Sequence, residues 1–393
     1  MKTIAQSPTQ DDFVQNPYPF YHACRAQGPV VFWQDYGMPA VVSHTLVQIC
    51  LKDRRLGREI PADKAQPVPP HVQPFYDIEA HSMLELEPPR QTRLRRLVLQ
   101  AFTSRRIAAM EPKIAALCHH LLDNIPDGPF DLLEHLAKPL PVTVICRLLG
   151  VPEEMGPQLL DWSNAMVAMY QARRTRAIED AAAKASTEFV AFLRGYIETR
   201  RRKPADDLIT ELIRAEEDGD RLSMDEMIST CILLLNAGHE ATVHTLGNGV
   251  KALLEAGLRP EWLSPEGIAG TVEEILRYDP PLHMFTRWVY EPVDLAGHSL
   301  HPGDQVALLL GAAGRDPQMW EDPDEFDPTR PAKTHSSFGG GLHFCVGAPL
   351  ARLELQVALP ILFQRLPNLK LAETPRYADV YHFHGLERLL VTA

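Results

Sequence analysis

The feature that most restricts the fold is the stretch 223–257, which has the marks of one long helix. Ser223 and Glu226 form a capping box at its start, and Gly257 is a natural C-terminal stop. About 34 helical residues at ~1.5 Å each span roughly 50 Å, enough to cross the whole molecule. Because residues 231–243 are apolar on all sides, the sequence predicts that the middle of this helix is buried.

Three residues interrupt that buried middle, namely Gly238, His239 and Glu240. Glycine costs about 1 kcal/mol relative to alanine inside a helix. A buried carboxylate costs more unless partners satisfy it. We therefore expect these residues to have a function.

A second constraint is the glycine-rich stretch 338–354, in which three adjacent glycines precede Cys345. Glycines let the backbone pass close to a flat ligand without intervening side chains. Pro349 suits the first turn of a helix, and the N–H groups at such a start lower the pKa of a nearby thiol. Cys345 is therefore predicted to be a thiolate that acts as a metal ligand or as a nucleophile.

Other uses of this loop can be compared from its own residues. A phosphate-binding loop needs Lys-Ser or Lys-Thr after the last glycine, and a dinucleotide fingerprint needs a third glycine at a set distance; neither is present. A structural zinc site needs more ligands nearby, but the nearest other cysteine is Cys231 and there is no Cys-x-x-Cys. A buried, inert cysteine is the simplest alternative. A cysteine hydrolase is disfavoured because no independent base stands out beside His343.

Composition limits the class of protein. The 393 residues can bury a large core, and no run approaches the ~18 apolar residues of a membrane span. The N-terminal residues lack an apolar signal region and the six cysteines show no disulfide spacing, so we expect a cytoplasmic protein. A formal net charge of −12 argues against general binding to nucleic acid or anionic membranes.

The glycine-rich stretch resembles the haem-binding signature of the cytochrome P450 family, Phe-x-x-Gly-x-x-x-Cys-x-Gly. His343 belongs to the bacterial form of that signature. The stretch Glu274-Ile-Leu-Arg277 resembles the family's Glu-x-x-Arg motif, and Arg330 matches the later arginine that this motif binds. The signature's four fixed positions are Phe338, Gly341, Cys345 and Gly347.

The resemblance implies the family's fold, which is mainly α with a small β-rich lobe. One domain would span residues 1–393, with the lobe at approximately 30–50, 282–312 and 367–393. Haem b would lie between the long central helix and the Cys345 loop, with the thiolate of Cys345 as the iron ligand. The resemblance also implies which side chains bind the two haem propionates. They are Arg95, Arg287 and His343, together with Gln91, which stands where many members have histidine.

The resemblance also implies roles for the polar centre of the helix. Gly238 would let the helix open locally to admit dioxygen, and Glu240 would be the acidic residue of a proton relay. Ala241 departs from the family, because most members have a threonine whose hydroxyl hydrogen-bonds the dioxygen. Thr242 cannot simply replace it, since one helical residue is about 100° of rotation.

The implied activity is a monooxygenase that inserts one atom of O2 into a small, mainly apolar organic substrate. Electrons would come from a ferredoxin and its NAD(P)H-dependent ferredoxin reductase. A haem-thiolate sensor without turnover and a peroxide-driven oxygenase are the alternatives. By position, the pocket would be lined by Leu233, Asn236, Leu282, Met284 and Phe383.

A basic run lies at residues 90–106, with six arginines and no acidic residue. Most such runs are solvated helix faces. In this family the run could instead help to dock the electron donor on the thiolate side. The candidate docking residues are Arg93, Arg96, Arg105, Arg106 and Arg352.

Overall fold

The computed structural model describes residues 1–170, 174–215, 219–381 and 383–393. Helices dominate this part of the chain, as expected, and the strands are short. The helices are α1 (Asp11–Gln15), α2 (Tyr18–Gln27), α3 (His44–Lys52), α4 (Gln73–Glu79), α5 (Arg90–Ala101), α6 (Ser104–Ala108), α7 (Glu111–Asp123), α8 (Pro139–Leu149), α9 (Gly156–Val167), α10 (Arg176–Arg202), α11 (Leu208–Arg214), α12 (Met224–Glu255), α13 (Ile268–Tyr278), α14 (Leu310–Gly314) and α15 (Ala348–Arg365).

The strands form three small sheets. The largest has six strands in the order β1-β2-β3-β9-β6-β4, a second has the order β10-β11-β5, and β7 pairs with β8. Their bounds are β1 (Lys2–Ile4), β2 (Val30–Trp33), β3 (Met38–Val41), β4 (Leu56–Gly57), β5 (Phe130–Asp131), β6 (Met284–Val289), β7 (Val293–Leu295), β8 (His298–Leu300), β9 (Gln305–Leu309), β10 (Lys370–Leu371) and β11 (Leu390–Thr392).

Helix α12 confirms the predicted long helix. The Ser223 side chain accepts the Glu226 N–H at 3.2 Å, and the Glu226 carboxylate accepts the Ser223 N–H at 2.8 Å. Gly257 follows the helix with a φ of +72°, a left-handed conformation that glycine adopts without strain. Helices α8, α9, α10 and α13 pack against α12. The capping box and the terminal glycine therefore define the helix as predicted.

The middle of α12 is not buried on all sides, which corrects the prediction. Most of its residues are inaccessible, but one side remains open and Ala237 is exposed. The more accessible residues recur at intervals of three and four, so they form one stripe on the helix surface. This open stripe consists of Leu233, Asn236, Ala237, Gly238, Glu240, Ala241 and His244.

The predicted β-rich lobe is only partly correct. Residues 44–52 are helical, because Val47, Cys50 and Leu51 are buried at helical rather than alternate spacing. Residues 310–312 begin helix α14 instead of extending β9.

The C-terminal strands form a sheet of their own. Strand β11 pairs with β5, where the Asp131 carboxylate accepts the N–H groups of Leu133 and Leu389 at 3.0 and 2.9 Å. An isolated bridge between Leu282 and Phe383 keeps the C-terminal segment beside β6. Residues 367–393 are thus adjacent to the six-stranded sheet without belonging to it.

The residues of the Glu-x-x-Arg motif are buried and meet as expected. Arg277 is 1% exposed and donates two hydrogen bonds of 2.7 Å to the Glu274 carboxylate. Glu274 also accepts the Asp327 N–H at 2.8 Å and lies 3.4 Å from Arg330. Arg277 further donates to the carbonyls of Gly314, Pro323 and Glu325. The motif therefore ties α13 to the irregular segment that leads to the Cys345 loop.

Within the described ranges, no helix is both long enough and apolar enough to cross a lipid bilayer.

The Glu274→Ala variant is expected to lower the free energy of unfolding by roughly 3–5 kcal/mol, because Arg277 would stay buried without its counter-ion. Urea unfolding followed by circular dichroism measures this change. The matched control is Glu255→Ala, which removes a 45% exposed carboxylate bound to Lys251 and should cost less than about 1 kcal/mol. Equal losses in the two variants would contradict a special role for the buried pair.

Candidate functional site

The Cys345 loop is held in shape by glycine conformations and by backbone hydrogen bonds. The Cys345 N–H donates to the Phe338 carbonyl at 3.0 Å, which closes the loop. Gly341 has a φ of +62°, and a Cβ there would lie 2.4 Å from the Leu51 carbonyl oxygen. At Gly347 a Cβ would lie 3.7 Å from the Cys345 sulfur. Glycine is therefore required at 341, where the loop passes close to α3.

The electrostatics of Cys345 balance two opposing effects. Burial raises the pKa of the thiol, while the N–H groups of Gly347 and Ala348 and the charges of Arg95 and Arg352 favour the thiolate. The N–H groups at the helix start lower the pKa as predicted, but burial outweighs them and the pKa is raised in sum. A metal cation bound at the sulfur would supply the missing positive charge. The surroundings therefore suit a metal-ligating thiolate better than a free nucleophile.

The relay candidates lie together on α12. Glu240 is 3.2 Å from His244 Nε2 and 3.6 Å from His239 Nδ1. Burial opposes ionisation of Glu240, yet the two imidazoles hold its pKa well below its usual range. Sequence reasoning missed this role of His244, although a spacing of four residues places it beside Glu240 on one helix face.

The hydroxyls near Ala241 are engaged by the helix itself. Thr242 donates to the Gly238 carbonyl at 3.1 Å, and Thr245 donates to the Ala241 carbonyl at 2.6 Å. Both are bonds from a side chain to the carbonyl four residues earlier, which threonine commonly makes inside helices. Thr242 is therefore committed elsewhere, in agreement with the expectation that it does not replace a hydroxyl at position 241.

Of the four propionate candidates, Arg287 best fits an anionic ligand. It is 2% exposed on β6 and donates to the Thr286 carbonyl at 2.9 Å. Burial and the nearby Arg58 lower its pKa to about 10, against the favourable charge of Glu87. A guanidinium held in this way gains stability when a carboxylate binds beside it.

The other three candidates lie at the Cys345 loop. Two of them bind it from α5, and the third, His343, belongs to it. Gln91 donates to the Leu342 carbonyl at 2.8 Å, and Arg95 donates to the Phe344 carbonyl at 2.6 Å. These carbonyls flank His343, whose Nε2 hydrogen-bonds Glu87 at 2.9 Å. Side chains from α5 thus hold the loop from both sides of His343. The donors and the open stripe of α12 together fit a flat group that carries two carboxylates.

The substrate candidates fall into two groups. Leu233 and Asn236 lie on the open stripe of α12, where Asn236 Oδ1 is buried without a hydrogen-bond partner among the described residues. Leu282 pairs with Phe383 through a β-bridge, and Met284 begins β6 at 5% exposure. The Phe383 ring lies 6.3 Å from the His244 ring, which links the second group to α12.

The proposed basic docking face is not supported, because carboxylates bind several of its arginines. Arg93 contacts Asp220 and Glu226, and Arg106 lies 3.3 Å from Asp206. Arg352 donates to Glu273 at 2.6 Å. These partners are far away in sequence, so the run of arginines could not reveal them.

Comparisons with known proteins agree with this geometry. A model of the family described as Cytochrome P450 matches residues 12–256 and 268–375. The biotin biosynthesis cytochrome P450 of Bacillus subtilis (strain 168) is 37% identical over 399 residues, which cover 99% of both proteins. The cytochrome P450 monooxygenase PikC of Streptomyces venezuelae is 38% identical over 398 residues, which cover 95% of this chain and 91% of PikC.

Solved structures share the whole fold. P450BioI, in complex with hexadec-9Z-enoic acid ligated acyl carrier protein, superposes with a TM-score of 0.90 at 36% identity, covering 97% of this chain and 99% of the other. The polyketide synthase cytochrome P450 PksS of Bacillus subtilis 168 superposes with a TM-score of 0.88 at 35% identity, covering 98% and 99%. The expected mainly helical fold with small sheets is thereby confirmed. With a family match over most of its length and relatives that span nearly all of it, the chain belongs to the cytochrome P450 family of haem-thiolate monooxygenases.

Proposed function

We propose that this enzyme inserts one oxygen atom of O2 into a small, mainly apolar organic substrate, with haem b ligated by Cys345. The observation that carries the proposal is the pairing of a half-buried thiol, set among N–H groups and arginines, with an otherwise buried helix that keeps one stripe open. When bound, thiolate-ligated haem supplies the activation of dioxygen. The protein's own part is to bind the haem, orient the substrate and move protons.

In this proposal, side chains of the protein would bind each of the two haem propionates. Arg287 would donate to one propionate, since it is buried on β6 with a lowered pKa. Arg95, Gln91 and His343 would serve the other, because they converge on the carbonyls around residue 343. Phe338, Gly341 and Gly347 would shape the loop, while Glu274, Arg277 and Arg330 brace the segment before it.

Proton delivery would start from Glu240. His244 Nε2 hydrogen-bonds its carboxylate at 3.2 Å, so a proton can pass between these two side chains. Ala241 offers no hydroxyl, and the Thr242 hydroxyl is bound to the Gly238 carbonyl. Ordered water or a hydroxyl of the substrate would therefore connect Glu240 to the reacting oxygen.

We further propose a single cytoplasmic domain that receives its electrons from a ferredoxin and an NAD(P)H-dependent ferredoxin reductase. The family takes electrons from external redox partners. Leu233, Asn236, Leu282, Met284 and Phe383 would contact the substrate. Product formation with the complete redox chain separates this enzyme from a haem-binding sensor, and turnover with hydrogen peroxide alone would instead support a peroxide-driven oxygenase.

The Cys345→Ser variant is expected to lose the thiolate-type carbon monoxide difference spectrum of the reduced protein, because serine replaces the sulfur ligand. Absorption spectroscopy of the reduced protein with carbon monoxide measures this. The control is Cys118→Ser, which changes a fully buried thiol on α7 and should keep the spectrum. A thiolate-type spectrum in the Cys345 variant would overturn the ligand assignment.

The Glu240→Gln variant is expected to reduce product formation roughly 10²-fold, since a positioned proton-transfer group contributes at least that much. Ala241→Thr should raise the fraction of consumed NAD(P)H that appears as product, because it adds a hydroxyl beside Glu240. Simultaneous assays of NAD(P)H consumption and product yield measure both effects. The control is Thr245→Val, which removes a hydroxyl bound to the Ala241 carbonyl and should leave coupling nearly unchanged. Unaltered coupling in Ala241→Thr would contradict the proposed water or substrate relay.

A further inference from the structure

Three buried side chains with the chemistry of metal ligands meet between α13 and the C-terminal segment. They are Asp279, which follows α13, His283, which precedes β6, and His384, which lies before β11. One nitrogen or oxygen atom of each lies within 4.8 Å of the other two. The three residues are 5%, 0% and 3% exposed, in that order. The fold therefore encloses two imidazoles and a carboxylate in one place, away from the Cys345 loop.

The distances within this cluster are long for hydrogen bonds and suit a shared cation. His283 Nε2 lies 3.7 Å from Asp279 Oδ1, and His384 Nε2 lies 3.5 Å from the same oxygen. Hydrogen bonds from nitrogen to oxygen are usually about 2.7–3.2 Å long. Ligand atoms at ~2.0–2.2 Å from a tetrahedral zinc ion stand roughly 3.4 Å apart. Both distances from the carboxylate oxygen are therefore close to an edge of a zinc tetrahedron.

One ring nitrogen of His283 is buried without a partner. Its Nδ1 hydrogen-bonds the Tyr21 hydroxyl at 2.8 Å, whereas its Nε2 has no hydrogen-bond partner among the described residues. Buried polar atoms in proteins nearly always have a partner. In metal sites, the nitrogen of a histidine that does not bind the metal is commonly hydrogen-bonded in this way. A cation bound at Nε2 would satisfy the atom that the protein leaves unpaired.

Asp279 brings a carboxylate into the same enclosed space. Its Oδ1 accepts the Tyr18 hydroxyl at 2.7 Å, and its Oδ2 accepts the Tyr377 hydroxyl at 2.5 Å. Among the described residues, no lysine or arginine side chain lies within 4.0 Å of it, and its ion-pair contacts are with the two histidines. A carboxylate oxygen has two lone pairs, so Oδ1 keeps one for a cation. A divalent ion there would offset a buried negative charge.

Two neighbouring helices hold the ligands in position. The Asn248 amide of α12 donates to the backbone carbonyls of Asp279 and His384 at 3.3 and 2.9 Å. Gly311 of α14 packs against the His283 ring so closely that a Cβ there would lie 2.6 Å from Nδ1. The three ligands are thus fixed by contacts outside the cluster, and preorganised groups lose less freedom on binding.

We infer that Asp279, His283 and His384 bind a Zn²⁺ ion, which is additional to the haem iron of the proposed function. Imidazole nitrogen and carboxylate oxygen are both ligands that zinc takes in proteins. Three protein ligands leave the fourth position to a water molecule or to the second carboxylate oxygen. The inference goes beyond the proposed function and does not depend on the ligand assigned to Cys345.

The ion would have a structural role near the predicted substrate contacts. Leu282 and Phe383 form an isolated β-bridge, and each immediately precedes a ligating histidine. The His384 N–H also donates to the Pro281 carbonyl at 2.8 Å. Zinc would therefore tie this part of the proposed substrate pocket to the end of α13.

The first test measures the metal content of the purified full-length holoenzyme, made without an affinity tag and washed with EDTA. Inductively coupled plasma mass spectrometry is expected to find about one zinc ion per chain besides the haem iron. A protein isolated without zinc should gain several degrees in Tm when Zn²⁺ is added. A chain that neither contains zinc nor is stabilised by it would overturn the inference. Another metal in this position would overturn the assignment to zinc.

Ligand variants then locate the ion. Asp279→Asn keeps the shape of the side chain but removes its charge, and His384→Gln removes an imidazole. Each should lower the zinc content at least about tenfold, because a ligand is lost. The matched control is His44→Gln, which changes another buried histidine, one that binds the Thr334 carbonyl, and should keep the zinc. Unchanged zinc in both ligand variants would overturn the site.

Tyr21→Phe tests the site with all three ligands in place, and it serves where a ligand variant fails to fold. It removes the hydroxyl bound to His283 Nδ1 and should weaken zinc binding about 10–100-fold. Competition with a chromophoric chelator measures the affinity. The control is Tyr196→Phe, which removes a hydroxyl bound to the Gly150 carbonyl from α10. Equal zinc affinities in these two variants would overturn the assignment of His283 as a ligand.

The carbon monoxide spectrum separates this inference from the proposed function. Asp279→Asn is expected to lose zinc and keep the thiolate-type spectrum, since the cluster does not include Cys345. A wild-type protein with that spectrum but without zinc binding would overturn the zinc site alone. Bound zinc without the spectrum would overturn the proposed function alone.

Discussion

The arrangement of the site depends on the buried guanidinium of Arg277. It is almost inaccessible, and its charge is matched by Glu274 through two short hydrogen bonds. Its remaining donors bind the carbonyl of Gly314, at the end of α14, and the carbonyls of Pro323 and Glu325, in a segment with no regular structure. Irregular backbone has no ladder of its own to satisfy buried carbonyls, so a side chain with five donors does this instead. The approach to the Cys345 loop is thus held by one residue of α13.

The wall opposite the Cys345 loop is a helix, α12, which also contains polar groups. Several polar side chains of α12 bond within the helix, since His244 binds Glu240 and the threonines bind carbonyls one turn earlier. The helix therefore stays continuous from Met224 to Glu255 while one side remains open. A wall that satisfies its own hydrogen bonds can border an open space without collapsing into it.

Features that depend on residues close together in the sequence were predictable, whereas contacts between residues far apart in the sequence were not. The capping box, the terminal glycine and the helix start at Pro349 each involve residues a few positions apart. By contrast, the partner of His343 is Glu87 and the partner of Arg352 is Glu273. No periodicity links such positions, so the arginine-rich run could not reveal the carboxylates that bind its side chains. The separate C-terminal sheet was missed for the same reason, because β11 finds its partner at Phe130–Asp131.

Strand β6 places a buried charge next to a side chain that lines a cavity. Thr286 lines the cavity, while the next residue, Arg287, is buried with a lowered pKa. Successive side chains of a strand point to opposite faces, so one residue step moves from one environment to the other. Arg58 pairs with Glu85 and yet lies close enough to Arg287 to destabilise its charge. An anion bound at Arg287 would stabilise that charge and offset the effect of Arg58. Cofactor binding would therefore relieve the repulsion between two arginines that the fold brings together.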